Sequence, residues 1–191
     1  MMQAMLLGYG AVAAKFYGDR GVTGGGDGNV NIMGYYDITS AGNASDFGDL
    51  TVGRYDLSPT SDGSRGVFSG GANPSVVNTI DYITIASTGN ATDFGDLPTA
   101  RHGQAQGTIS DGTTGIWGGG DSLGGMLNEI VKITIATTGD ASDFGDLIGS
   151  LPLNKGGAAS PTRALFPGGN SPYTSIIDYV EIATRGDSKD F

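Results

Sequence analysis

No cysteine occurs among the 191 residues. That removes disulfides, thiolate nucleophiles and thiolate-ligated zinc together, without fixing the compartment. His102 is the single histidine, so a multi-histidine metal centre has no ligands to draw on. Basic residues are scarce: 10 lysines and arginines stand against 20 acidic residues, a formal net charge of −10. Such a chain repels phosphate backbones, and sequence-independent binding to nucleic acid is not expected. No apolar run approaches the roughly 20 residues that span a bilayer, so membrane insertion is not expected either. The N-terminal stretch MMQAMLLGYGAVAAKF contains Ala11-Val12-Ala13, a small-residue triplet of the kind that ends a secretory signal. It has no positive start, and glycines interrupt its apolar part. It reads instead as an inner strand.

Glycine is abundant, at 35 residues, and charged residues make up only 16 %. Without a collagen triplet, that much glycine means either low complexity or a chain made of tight turns. Recurring apolar alternation decides for turns, because a disordered chain has no reason to keep it. The alternation sits inside a long repeat. DYITIASTGNATDFGDL, from Asp81 to Leu97, returns as YYDITSAGNASDFGDL (Tyr35 to Leu50), VKITIATTGDASDFGDL (Val131 to Leu147) and DYVEIATRGDSKDF, ending at Phe191. The phenylalanines of these copies, Phe47, Phe94, Phe144 and Phe191, are spaced 47, 50 and 47 residues apart. Self-similarity at that period marks a solenoid, propeller or array. The repeat covers residues 1–191 as one domain, in units of approximately 1–50, 51–97, 98–147 and 148–191.

Each unit resolves into short strands. The first follows the leucine of DFGDL, as from Ala100 to Ile109, and ends in an Asp-Gly turn such as Asp62-Gly63 or Asp111-Gly112. The second strand ends in paired glycines: Gly25-Gly26, Gly70-Gly71, Gly119-Gly120 and Gly168-Gly169. The third alternates with period two, Ile80, Tyr82 and Thr84 facing one way and Asp81, Ile83 and Ile85 the other. The fourth is the SDFGDL edge. Four antiparallel strands per ~50 residues is the pattern of a propeller blade. Ile83, Ile133, Val180 and Tyr36 share one core position, and Ile38, Ile85, Ile135 and Ile182 share the next. The phenylalanines are expected to fill the seams between units.

The stretch LPTARHG…GTTGIWGGG…NEIVKITIATTGDASDFGDL resembles a kelch repeat, with an arginine near the inner strand, a double glycine and an aromatic outer strand. Arg54 and Arg101 match the arginine; Leu151 takes the corresponding place downstream and Tyr9 in the first unit. Phenylalanine stands where the kelch outer strand usually has tryptophan. The fold this resemblance implies is an all-β, kelch-type β-propeller of four four-stranded antiparallel blades. The wording ITIASTGNATDFGDL, followed by arginine and paired glycines, is also similar to kelch-like repeats in virion structural proteins of tailed phages, notably those of marine cyanobacteria. That resemblance implies a virion or extracellular location, and protein subunits (virion proteins or further copies of this chain) or cell-surface glycans as partners. Met1 to Met5 fall where the residues after Phe191 belong in the repeat, which is expected to close a four-unit ring; the alternative is an open set completed by another copy.

Several tempting motifs dissolve in this context. Asp46-Phe47-Gly48 spells the kinase metal-binding tripeptide, but it recurs at a turn with no catalytic loop beside it. Gly8-Tyr9-Gly10-Ala11-Val12-Ala13 fits a dinucleotide fingerprint, but Gly18-Asp19-Arg20-Gly21 arrives before any helix. Asp93, Asp96, Asp143 and Asp146, with Asn43, Asn90 and Asp140 nearby in the repeat, have the oxygen chemistry of a calcium site. The competing reading is stronger: Asx side chains in turns bond their own backbones, and the spacing matches no calcium loop. The copper centre of galactose oxidase, the kelch-class enzyme, needs a cysteine-crosslinked tyrosine that this chain cannot build. A carboxylate pair acting on glycans stays open, yet nothing singles one out. The expectation is therefore a non-enzymatic structural and binding module without a cofactor, probed first at Tyr55, His102 and Tyr173 and at the variable loops Asp27 to Asn31, Ala72 to Asn78, Asp121 to Asn128 and Asn170 to Ser175. A secreted carbohydrate-binding or carbohydrate-active propeller is the alternative. An intracellular kelch adaptor for protein partners is a third, weaker reading.

Overall fold

The computed structural model describes residues 18–104, 109–148, 156–169 and 175–191. Among them there is no helix, and the strands form several antiparallel sheets. The first unit supplies β1 (Arg20–Gly24), β2 (Ile32–Asp37) and β3 (Ser45–Asp49), hydrogen-bonded in that order. The second supplies β4 (Ser58–Ser61), β5 (Arg65–Ser69), a two-stranded ribbon of β6 (Ala72–Asn73) and β7 (Ser75–Val76), then β8 (Thr79–Thr84) and β9 (Thr92–Asp96). Its sheet runs β4-β5-β8-β9. The third repeats this with β10 (Thr114–Gly118), a ribbon of β11 (Asp121–Ser122) and β12 (Gly125–Met126), β13 (Glu129–Thr134) and β14 (Ser142–Asp146). The fourth holds β15 (Ala158–Ala159), β16 (Arg163–Pro167), β17 (Ile177–Glu181) and β18 (Lys189–Asp190). Units two and four thus have four-stranded sheets. The inner strand of unit one, with Tyr9, falls outside the described residues, as does Leu151.

The turns form where the side chains ask for them. Asp62 Oδ1 accepts the backbone N–H groups of Ser64 and Arg65 at 2.8 and 2.7 Å, and Asp111 Oδ1 does the same for Thr113 and Thr114. The following glycines, Gly63 and Gly112, take φ of 89° and 88°. These are Asx turns closing the expected hairpins. The inner strand begins later than expected. Residues Ala100 to Gln104 carry only an isolated bridge, His102 to Asp121, and in unit two the strand starts at Ser58. Positive φ at Asp56 (54°) and Gly103 (60°) breaks the extended chain there.

Both faces of a middle unit are buried, each against a different neighbour. Met33, Phe47 and Leu50 of unit one meet Phe68 and Ile83 of unit two. On its other face unit two puts Ile80, Phe94 and Leu97 against Trp117, Ile133 and Ile135 of unit three. Ile130, Phe144 and Leu147 of unit three meet Phe166, Val180 and Ile182 of unit four. The expected alternation along β8 is what sends Ile80 and Ile83 into different seams.

The aspartate, phenylalanine and glycine of DFGDL each have a mechanical task in these seams. Ile80 pairs with Gly95 and Asp81 with Asp93, so Phe94 is the extra residue of a β-bulge; Phe47 and Phe144 sit in the same irregularity. A bulge re-aims its side chain and increases the local twist. Here it turns the phenylalanine into the seam, where Phe47, Phe94 and Phe144 are at most 2 % exposed. The next glycine lets the following unit approach: a Cβ on Gly95 (φ 143°) would lie 2.5 Å from the Gly139 carbonyl oxygen. The edge is then closed by the next unit's loop. Gly89 and Ala91 donate to Phe47 and Asp49 carbonyls at 2.7 and 2.8 Å; Gly139 and Ala141 do so to Phe94 and Asp96; Gly186 and Ser188 do so to Phe144 and Asp146.

The outermost faces depart from the expectation of one uniform core. Phe191 is 65 % exposed and Ile38 56 %, although their counterparts are buried or half-buried. The reason is that each lies on a face with no neighbouring unit among the described residues. Met1 to Met5, which were expected to close a four-unit ring, lie outside the described residues.

Because the obstacle at Gly95 is backbone, which cannot move aside, Gly95→Ala is expected to cost about 2–4 kcal/mol through the left-handed φ and the clash. Gly124→Ala, where the added Cβ meets only the Ser122 hydroxyl at 3.7 Å, is expected to stay within about 0.5 kcal/mol. Urea denaturation of the two variants checks the contrast.

Candidate functional site

The inner ends of units two and three are built on buried arginines. Arg54 is fully buried. Its Nε donates to the Gly70 carbonyl at 2.8 Å, its Nη2 to Phe68 at 3.2 Å, and its Nη1 to Asp81 Oδ2 at 2.7 Å. Asp81, also fully buried, accepts a further short hydrogen bond from the Thr51 hydroxyl. Charge and hydrogen-bonding capacity are thus matched inside the protein, which is the condition for burying an ion pair at all. Arg101 repeats the device with a different partner. Its guanidinium meets the Glu129 carboxylate, which is partly exposed, and its Nε donates to Thr99 at 3.1 Å. Burial pushes the Arg101 guanidinium down to about 10, so it is still protonated at neutral pH.

The arginine main chain looks the other way, into the preceding unit. Gly26 donates to the Arg54 carbonyl at 3.0 Å and Gly71 to that of Arg101 at 2.9 Å. This contact explains the paired glycines. A Cβ on Gly70 (φ 59°) would sit 2.5 Å from the Arg101 carbonyl oxygen.

Tyr55 and His102 follow these arginines at equivalent places in neighbouring units. Tyr55 bridges Ala72 at the base of the β6-β7 ribbon, and His102 bridges Asp121 at the base of β11-β12. Between them lies Asp56. Its carbonyl accepts the Gly103 N–H at 3.0 Å, and its Oδ2 stands 3.5 Å from His102 Nδ1. Asp56 and His102 therefore share one partly exposed patch, with the partly exposed Tyr55 next to Asp56 in the chain. Tyr173 lies outside the described residues. Three polar side chains close to this patch in sequence were missed by sequence reasoning: Asp56 itself, Ser58 and Gln104. Gln104 is fully buried, and among the described residues neither of its amide atoms nor the Ser58 hydroxyl has a hydrogen-bond partner. A signal for Asp56 was present. Aligning Arg54-Tyr55-Asp56 with Arg101-His102-Gly103 puts an aspartate where the repeat has a glycine, and both residues are left-handed.

The acidic residues proposed for calcium are distributed differently. Asp93 and Asp143 pair along the sheets with Asp81 and Val131, and Asp143 also takes an ion pair from Arg185 of the next unit. Asp96 and Asp146 use their backbone N–H groups as donors to the Asp140 and Asp187 side chains of the following unit, each at 3.0 Å, and Asp49 does so to Asn90. The Asx residues are thus bonded across the seam rather than within their own turn. Among the described residues no three histidine or acidic side chains converge to hold a metal.

Two grooves among the described residues, of about 280 and 190 Å³, repeat the same place in units three and two, beside Gly139-Asp140 and Gly89-Asn90. They fall below the ~300–1,000 Å³ typical of small-molecule pockets. The Asp56 and His102 pair offers instead a carboxylate and an imidazole with hydrogen-bonding capacity for a polar ligand, and Tyr55 is a partly exposed aromatic one residue away in the chain. No protein-family model matches the chain, and no curated protein matches it.

Truncating one partner of the fully buried pair strands the other. Arg54→Leu is expected to destabilise the protein by about 3–5 kcal/mol, and adding Asp81→Leu to recover part of that loss. Thermal and urea unfolding of the single and double variants measure both.

Proposed function

We propose that the chain is a kelch-type β-propeller module without enzymatic activity, a structural or host-contacting component of a virion surface. The observation that carries this reading is how the recurrent residues are spent. Phe47, Phe94 and Phe144 fill seams, Arg54 and Arg101 tie inner strands, paired glycines admit neighbouring backbone, and Asn90, Asp140 and Asp187 bond across seams. Repetition therefore serves the scaffold. What varies is the loops, where Leu123 is 84 % exposed and Met126 45 %. A rigid frame presenting variable tips is the arrangement of a recognition module. Meandering antiparallel sheets with both faces covered by neighbouring units are consistent with blades, and the phage-like wording of the repeat supports the virion setting.

A second reading, a secreted carbohydrate-binding propeller, draws on Tyr55, Asp56 and His102. A carboxylate facing an imidazole offers hydrogen bonds to a sugar, and the aromatic next in the chain offers a ring to stack on.

Fluorescently labelled protein incubated with marine cyanobacterial cells, and separately with a glycan array, tests both. The first reading expects retention on cells that falls at least about fivefold in Leu123→Ser/Met126→Ser, with no polysaccharide cleaved. Array binding abolished by Tyr55→Ala and His102→Ala favours the second. Turnover of a polysaccharide at an enzymatic rate overturns the first.

A further inference from the structure

The three internal seams define what each face of a unit requires, and the two outermost faces carry the apolar and aromatic part of that same seam, although no Gly-Asp-Leu follows Phe191 as it follows Phe47, Phe94 and Phe144. On the leading face of unit four, Phe191 and Ile177 are 65 % and 37 % exposed, whereas Phe144 and Ile130, their counterparts in unit three, are 0 % exposed. The internal geometry of that half is already set. Phe191 packs edge-on against Tyr179 with centroids 6.0 Å apart, as Phe47 does against Tyr35 and Phe94 against Tyr82. Arg163 stacks over Tyr179 at 4.8 Å, as Arg20 and Arg65 stack over Tyr35 and Tyr82. In units one and two that arginine reaches across the seam: Arg20 Nη1 donates to the Ile85 carbonyl and Arg65 Nη1 to that of Ile135, both at 3.0 Å. Among the described residues Arg163 has no such carbonyl before it and pairs with Glu181 on its own sheet, both side chains exposed.

The trailing face of unit one offers the missing half. Ile38 is the counterpart of Ile85 and Ile135 and is 56 % exposed. Gly42 is the counterpart of Gly89, Gly139 and Gly186, whose N–H groups take the phenylalanine carbonyl of the preceding unit.

We infer that the Phe191 face of one copy docks on the Ile38 face of a second copy of this chain, head to tail, as a further seam of the kind found three times within the chain. In that seam Phe191 lies against Ile38, the Gly42 N–H donates to the Phe191 carbonyl, and Arg163 donates to the Ile38 carbonyl. Two copies form two such seams and complete an eight-unit ring, within the range of known propellers. Such a contact is heterologous, using different faces on the two partners, and closes only if the rotation per unit allows it. The inference rests on seam geometry and is independent of the virion reading.

Light scattering after size exclusion, over a range of concentrations, tests it with the full 191-residue chain. The wild type is expected at twice the 19.3 kDa chain mass. Phe191→Glu and Ile38→Glu, at exposed positions on opposite faces, are each expected to weaken association at least about tenfold, the loss of one buried apolar side chain. Equimolar mixing of the two variants is expected to restore a dimer, because one intact seam remains available between them. Cooperative melting of each variant shows that it is folded, and either alone suffices if the other is not. A wild type that stays monomeric throughout overturns the inference. So does a dimer unaffected by both changes, or a mixture that remains monomeric.

Discussion

Each of the first three units ends in a strand whose edge is satisfied by the next unit. The carbonyls of Phe47 and Asp49 are taken by Gly89 and Ala91, and the same exchange recurs at the two following seams. An open edge is a liability in any sheet, and here it is covered by the neighbour's loop rather than by charge or proline. Much of the sequence follows from this one demand. The loop needs glycine to come close, the edge needs a bulge to aim its phenylalanine inward, and the Asx side chain of the loop needs a free N–H to accept. A unit without its neighbour would leave all three unmet, which is why stability belongs to the stack and not to the single repeat.

The buried arginines close the inner end of the same construction. Arg54 binds its own sheet through its guanidinium and the preceding unit through its main chain. In unit two that double attachment holds the segment leading into β4 against the ribbon that precedes the third strand. Tyr55 and His102 are positioned as a consequence, one residue beyond a side chain that cannot move. The exposed ribbon tips then vary without disturbing what anchors them, so a scaffold of this kind is able to change its ligand by changing loops alone.

Much of the fold was legible because the repeat prints each structural demand several times. Period-two alternation placed β8 and β13, Asp-Gly pairs placed the hairpins, and recurrence marked the phenylalanines as seam residues. What escaped depended on contacts between units. The bulge at Phe94 is invisible to alternation because it is a mismatch between two strands, not a property of one. Asn90 and Asp140 suggested calcium because their oxygens cluster in sequence, while their actual partners are N–H groups more than 40 residues away. Phe191 and Ile38 were assigned to a uniform core because recurrence reports the role of a position within a stack and is silent about which unit stands at its end. Asp56 was overlooked because it was read by residue type, when its place in the repeat, opposite Gly103, carried the information.

The loops around Gly89, Gly139 and Gly186 are held by the unit before them. Native-state hydrogen exchange at these three amides tests that attachment most directly. They lie at the surface, so an unattached loop would exchange them within seconds. The seam predicts instead that they exchange only through the opening that also releases the amides of β8 and β13. Fast exchange at these glycines while those strands stay protected would contradict it, and the units would then be neighbours without being joined.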